Sequence, residues 1–369
     1  MRPTAANLVA FPPMTSAEHD LGDILDSARR DDGDILDFSS RNRECPRLDR
    51  RVSVAPMMDY TDRHCRYLHR LLSPGVLLYT EMVTAQALAH GDVERLLGFD
   101  EAENPVALQV GGSDPRLLAN AARLGEARGY REINLNVGCP SDRVQEGNFG
   151  ACLMAEPQRV ADCLAAMRDA VSLPVTVKCR IGIDELDDYG FFDHFVQTVR
   201  RAGVDVFIVH ARKAILSGLT PKENREIPPL RYETAARLKQ ENPGLTVILN
   251  GGLKSVAQVR EWWRCFDGVM IGRQAYQEPW LLTELHRAFV DPSWAPPARA
   301  EVVLRYADYV ERMLGQGHRM SLLLRPLHGL YAGHAGARAW RRFLTEEGGR
   351  PGSGADLLER SLRVFRDAA

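Results

Sequence analysis

The stretch Ile133–Val144, INLNVGCPSDRV, decides how the rest of the chain is read. It begins as a buried strand, passes through a small-residue turn, and continues through a proline into a polar segment. Its one cysteine, Cys139, sits in the turn. A cysteine next to a buried strand is most often a small hydrophobe. A chemical role for this thiol therefore needs support from elsewhere in the chain.

Working outward, similar units recur. Short β-rich runs appear as RVSVAP, VLLYT, PVALQV, EINLNV, PVTVK, VDVFIVH, LTVILN and DGVMIG. These eight are predicted as continuous apolar strands, buried on both faces as in a parallel sheet. Helical segments lie between them. DPRLLANAARLGEARG carries Asp114 as N-cap, Pro115 at the first helical position and Gly129 at the end. EPQRVADCLAAMRDAV follows the strand quoted above. Eight βα units over about 240 residues match the arithmetic of a (β/α)8 TIM barrel, placed at residues 48–296. A doubly wound open sheet is the alternative, but no GxGxxG follows the first strand. From residue 297 to 369 the strand signal stops, and AEVVLRYADYVERMLGQG, SLLLRPLHGLYAGH, ARAWRRFLTEE and ADLLERSLRVFRDA read as four helices. Residues 1–47 are acidic, contain GDILD twice, and are expected to be a disordered extension.

Composition sets the outer limits. The chain has 369 residues, 45% hydrophobic and 26% charged, which suits one large domain with a smaller one attached. Lys plus Arg number 47 against 49 Asp plus Glu, so net charge neither favours nor excludes nucleic acid. Seven scattered cysteines without a CxxC indicate no disulfide framework and no zinc ribbon. A reducing cytoplasm and no metal site are expected. No apolar run approaches membrane-spanning length, and MRPTAANLVAFPP lacks the apolar stretch of a secretory signal.

Barrels carry their chemistry at the carboxyl ends of the strands, so polar residues there form a set. Asn250, Gly251 and Gly252 after the seventh strand, with Gly272 and Arg273 after the eighth, suit a phosphate. Glycines expose backbone N–H groups, the following helices offer their N-termini, and Arg273 adds charge. Lys178 ends an apolar strand and should point into the barrel mouth, where an anion would offset its burial. It suits either a Schiff base or the negative charge of a reduced flavin. Gln109 offers a donor and an acceptor to the edge of a heterocycle. His210 suits a phosphate contact or an acid. Glu81 in YTEM reads equally as a structural ion-pair partner and as a functional group. Cys179, beside Lys178, is expected to be packing.

The segments SVAPMMDYTDRHCRYLHRLLS, LLYTEMVTAQAL, ALQVGGSDP, EINLNVGCPSDRVQEGNFGACLM, PVTVKCRIGID and HARKAILSGLTPKENREIPPL resemble the tRNA-dihydrouridine synthases, in particular their A subfamily. The resemblance runs from about Arg51 to Arg342. It implies reduction of uridine to 5,6-dihydrouridine at positions 20 and 20a of the tRNA D-loop, with FMN as cofactor and NADPH as reductant. It implies that Pro56, Met57 and Met58 line the flavin and that Gln109, Lys178 and His210 contact it. Asn250, Gly251, Gly252, Gly272 and Arg273 would hold its phosphate.

Reducing the uracil double bond needs a hydride at C6 and a proton at C5. The resemblance makes reduced flavin the hydride source and Cys139 the acid, which must be a protonated thiol when hydride arrives. Asn136 is then expected to hydrogen-bond the uracil. The target base must be unstacked to enter a deep barrel, so the rim should be basic. Between Arg312 and Thr345 there is no acidic residue, against six Arg and three His. Arg338, Arg341 and Arg342 share a helix face, and Lys222 and Arg225 lie near the end of the sixth strand. Of these, Lys222, Arg225, Arg338 and Arg341 are expected to contact tRNA, by a monomeric protein. A dihydroorotate-type pyrimidine oxidoreductase on the same barrel, and a tRNA-binding folding factor, are the competing readings. The first has no use for the Arg-rich helices, and the second none for an intact Cys139 and Lys178.

Overall fold

The computed structural model describes residues 48–365. The expectation for residues 1–47 lies outside them. The strands are β1 (Val52–Val54), β2 (Leu78–Tyr79), β3 (Val83–Thr84), β4 (Val106–Gly111), β5 (Glu132–Val137), β6 (Val175–Arg180), β7 (Val206–His210), β8 (Thr246–Asn250) and β9 (Gly268–Ile271). All pairings between them are parallel, in the order β1-β9-β8-β7-β6-β5-β4-β2. The ring closes where Val54 N–H donates to the Leu77 carbonyl at 3.0 Å and Leu77 N–H to the Val52 carbonyl at 3.2 Å. This is the expected eight-position barrel. The short β3, which was not expected, pairs Val83 and Thr84 with Val110 and Gly111 of β4. It is strand two resuming after a break at Thr80–Met82.

Successive side chains on a strand point to opposite faces. On β5, Ile133, Leu135 and Val137 join the main core between the sheet and its helices. Glu132, Asn134 and Asn136 lie on the other face, inside the barrel. The interior also holds a small apolar cluster of Ala55, Leu77, Tyr79, Ala107, Ile208, Ile248 and Met270. The strands around β5 and β6 thus differ from the continuous apolar runs expected, because the barrel interior on that side is filled by hydrogen-bonded polar groups.

The helices form where their caps predict. Asp114 accepts N–H bonds from Arg116 and Leu117 at 2.8 and 3.3 Å, Pro115 begins the helix Pro115–Ala127, and Gly129 leaves with φ +85°. The helix Pro157–Ala170 likewise starts on a proline. Beyond the barrel come Arg299–Gly315, Met320–Leu324, Ala337–Gly348 and Asp356–Ser361. The segment read as one helix from Ser321 to His334 is instead a short helix followed by a 3₁₀ stretch, Arg325–Gly329. Pro326 is the cause: it lacks an N–H and its ring clashes with the preceding turn.

These helices build a second core around Tyr306, Tyr309, Leu323, Trp340, Leu344 and Leu357. Leu68 and Leu72, from the helix Arg63–Leu72 that follows β1, are buried in it too. Fully burying a leucine contributes roughly 1.5–3 kcal/mol, so this helix fastens the carboxyl-terminal helices to the barrel end. His64 Nδ1 meets the Tyr309 hydroxyl at 2.8 Å across the same contact. Among the described residues no helix is long and apolar enough to cross a membrane.

Candidate active site

The parallel register places the strand-end residues together. Asn136 sits opposite Lys178, Arg180 opposite His210, and His210 opposite Asn250, while Gln109 on β4 faces Asn134 on β5. Gln109, Asn136, Lys178, His210 and Asn250 therefore ring one barrel end, as the strand-end reading required.

Lys178 is half-buried there and has no hydrogen-bond or ion-pair partner among the described residues. Burial, with the Arg180 charge two residues on, brings its pKa down to about 8. His210 is pushed well below the ordinary imidazole value, by burial first and then by Arg180 and Lys178. Arg225 and Arg212 each bury an Nε that has no partner among the described residues. The mouth thus gathers Lys178, Arg180, Arg212 and Arg225, none of which has an ion-pair partner among the described residues, the electrostatics of a site for an anionic ligand.

The Cys139 loop is tied down from three sides. Asn136 Oδ1 accepts the backbone N–H groups of Gly138 and Cys139 at 3.1 and 3.0 Å. Arg180 Nε donates to the Gly138 carbonyl at 3.0 Å, and Ala151 N–H to the Cys139 carbonyl at 2.9 Å. Gly150, at φ +82°, leaves no room for a side chain: a Cβ would lie 2.6 Å from the Cys139 carbonyl oxygen. The Cys139 thiol itself is half-exposed and 3.4 Å from the Ser141 hydroxyl. By contrast Cys65, Cys163 and Cys179 are core residues, and burial raises the Cys179 thiol to about 12.

Of the loop glycines Gly252 is exposed, Gly272 is half-buried and Gly251 is buried. Gly251 and Gly252 take φ of +118° and +67°, which only glycine adopts easily. A Cβ on Gly251 would come within 2.8 Å of His210 Cδ2, and one on Gly272 would meet nothing within 4 Å. Two details depart from expectation. The helices that follow, Val256–Trp262 and Gln274–Gln277, are short, which leaves these loops backbone N–H groups rather than helix dipoles to offer an anion. Arg273 is ion-paired with Glu226 at 2.7 Å, and Asn250 Nδ2 donates to the Met270 carbonyl at 2.8 Å, joining β8 to β9. Pro56 and Met57 are half-buried at the rim, while Met58 is 55% exposed. Glu81 forms no ion pair among the described residues. It accepts the Asp59 backbone N–H, and burial raises its pKa.

The rim residues divide by burial. Lys222, Arg338, Arg341 and Arg342 are exposed, and none has an ion-pair partner among the described residues. Trp340 and Leu344 occupy the buried face of their helix. Arg225 is half-buried toward the mouth, beside Arg273. Arg312, counted in the one-sign stretch, is paired with Asp100 at 3.2 Å.

Several residues of the site escape the strand-end reading. Arg180, 2% exposed, also donates to the carbonyls of Lys213 and Asn224 at 2.9 and 3.0 Å and so links the loops after β5 and β7. Its position two residues after Lys178 was the available signal. Asn224, fully buried, exchanges hydrogen bonds with the Ile215 backbone at 2.7 and 2.8 Å and shapes the PKENRE loop, which was read for charge alone. Glu132, Asn134 and Thr176 carried no signal beyond strand periodicity.

Fold and mouth together define the class, a (β/α)8-barrel enzyme with its polar groups converging at the carboxyl ends of the strands. The chain belongs to the dihydrouridine synthase family, whose model, Dihydrouridine synthase (Dus), matches residues 53–363. It is 54% identical over 315 residues to a tRNA-dihydrouridine(20/20a) synthase of Yersinia pestis, covering 85% of this chain and 91% of that one. It is 55% identical over 320 residues to a protein of the same name from Xanthomonas campestris pv. campestris, covering 86% and 95%. The corresponding Vibrio cholerae protein is 52% identical over 313 residues, covering 85% and 95%. Enzymes of this family reduce uridine to dihydrouridine in tRNA and depend on a flavin. The residues present fit such a group: Lys178 and two buried guanidinium Nε donors that have no partner among the described residues, and the glycine backbone at Gly252 and Gly272.

Proposed function

We propose that the protein reduces uridine to 5,6-dihydrouridine in tRNA, at positions 20 and 20a of the D-loop, with FMN as cofactor and NADPH as reductant. The observation that carries this reading is Cys139, whose backbone N–H is held by Asn136, in the same mouth as Lys178, which has no partner among the described residues.

The roles follow from the geometry. Bound FMN supplies the hydride that adds to C6 of the uracil. Cys139 holds a proton on Sγ and delivers it to C5, so the ring carbon–carbon double bond becomes a single bond with one new C–H bond at each carbon, and the thiolate left behind recovers a proton from water. Asn136 and Gln109 orient the reacting rings by hydrogen bonds, and Lys178 offsets negative charge that develops beside them. Gly251, Gly252 and Gly272 hold the phosphate through backbone N–H groups, with Asn250 fixing their loop. Arg273, now paired with Glu226, would hold the phosphate together with His210. Pro56, Met57 and Met58 lie against the flat ring. Residues 48–296 form the catalytic domain. Residues 297–369 form a helical tRNA-binding domain, which uses Arg338 and Arg341, while Lys222 and Arg225 meet the RNA at the mouth. The protein acts as a cytoplasmic monomer.

The test is dihydrouridine mapping on tRNA from a strain lacking this protein. Loss at positions 20 and 20a alone is expected. Loss at other positions would keep the chemistry but overturn the choice of uridine. Intact dihydrouridine, with turnover of a free pyrimidine by the purified protein, would replace the reading by a small-molecule oxidoreductase.

A further inference from the structure

A row of polar side chains runs through the barrel interior and ends at Gln109 and Asn136; its lower members, Glu132, Thr176 and Asn134, take no part in the steps above. At its foot is Glu132, fully buried and held by Arg50 Nε and Nη2 at 2.8 and 2.5 Å. Glu132 Oε1 accepts the Tyr79 and Thr176 hydroxyls at 2.6 and 2.7 Å. Thr176 Oγ1 accepts Asn134 Nδ2 at 2.8 Å. Asn134 Oδ1 accepts Gln109 Nε2 at 2.8 Å, and Gln109 Oε1 accepts Asn136 Nδ2 at 2.9 Å. Asn136 Oδ1 accepts the N–H groups of Gly138 and Cys139. Water is excluded from nearly all of it: Tyr79, Glu132, Asn134, Thr176 and Gln109 are each no more than 1% exposed.

The direction of this row is forced by chemistry. Amide oxygen and nitrogen are assigned from their partners, and here both ends dictate the same assignment. A carboxylate paired with arginine accepts, so the single Thr176 hydrogen goes to Glu132 and the Thr176 oxygen is left to accept. That turns the Asn134 nitrogen toward Thr176 and its oxygen toward Gln109, and the same step repeats up to Asn136. At the top, two backbone N–H groups require the Asn136 oxygen. Asn136 thus has its oxygen committed to two donors and Gln109 has one of its two acceptor positions filled, and each keeps one N–H hydrogen free. The row fixes a donor at each of these two positions, which a ligand meets with an acceptor.

We propose that Glu132, Thr176 and Asn134 are positioning residues that fix Gln109 and Asn136 as hydrogen-bond donors toward carbonyl oxygens of the bound flavin and uracil, while holding the Cys139 loop through Asn136. This rests on the uridine-reduction reading for the identity of the ligands, but not for the behaviour of the loop. A chain of this kind acts cooperatively, so loss of one member is felt at the far end.

The test compares Thr176→Val, which keeps the shape and removes the hydroxyl, with Thr176→Ser, which restores it. In the FMN-free protein, amide hydrogen exchange at Gly138 and Cys139 should rise at least fivefold in Thr176→Val and stay within twofold of the parent in Thr176→Ser. The FMN dissociation constant should rise at least tenfold in the first variant alone, and kcat/KM for tRNA should fall with it. Unchanged exchange and FMN affinity in Thr176→Val, or equal damage in both variants, would overturn the proposal. A parent protein that makes no dihydrouridine would sink the reaction instead, and leave the exchange comparison standing. Neutron diffraction on the parent protein decides the matter if Thr176→Val does not fold. The Thr176 deuterium should lie toward Glu132 and one Gln109 amide deuterium toward Asn134; a reversed amide would refute the proposal.

Discussion

At the scale of single residues, Cys139 and Cys179 show how position on one strand pair separates two thiols. Cys179 sits on the outward face of β6, in the main core, and its raised pKa keeps it inert. Cys139 lies just past the end of β5, where the chain has left the sheet and the side chain is half-exposed. Cys139→Ala should therefore leave FMN binding and its reduction by NADPH intact, while dihydrouridine formation falls about 100-fold or more, the usual weight of a positioned acid. Flavin absorbance and dihydrouridine counts on the same samples separate the two half-reactions. Full retained activity would remove the thiol from the chemistry.

At the scale of elements, the helix Ala337–Gly348 is divided cleanly: Trp340 and Leu344 inward, Arg338, Arg341 and Arg342 outward. The outward arginines have no acidic partner among the described residues, so they hold no part of the fold together. Replacing Arg338 and Arg341 by Ala together should weaken tRNA binding and lower the slope of log K against log salt by about two, one for each phosphate no longer neutralised. NADPH oxidation by oxygen should not change. A binding titration at several salt concentrations checks this, and an unaltered affinity would move the RNA footprint elsewhere. Arg312 is a poor target for the same experiment, since its pairing with Asp100 ties it to the barrel.

At the scale of the whole molecule, the helix Arg63–Leu72 joins the barrel to the carboxyl-terminal helices, and it buries two histidines in doing so. His64 and His69 are 3% and 1% exposed, and burial lowers them to about 3 and about 4. The unfolded chain binds more protons at these sites below about pH 6.5, so their neutral burial costs almost nothing at pH 7 and progressively more as pH falls toward 4. At pH 5 each should remove roughly 2 kcal/mol of stability. Urea unfolding at pH 7 and pH 5 measures this. Equal midpoints would mean that the histidines become charged in place, and that the joint between the two cores is looser than the structure has it.

The sequence by itself determined the eight-strand count, the caps of the first helices and the strand-end set from Gln109 to Arg273. All of these depend on local periodicity and on residues whose backbone or charge preferences act over a few positions. It did not reveal the polar row from Glu132 to Asn136, the link from Arg180 to the loops after β5 and β7, the pairing of Arg273 with Glu226, or the break at Pro326 within the second carboxyl-terminal helix. The first three join residues 25 to 47 positions apart. Only barrel closure brings such groups within hydrogen-bond reach, because their partners are set by register between strands and not by order along the chain.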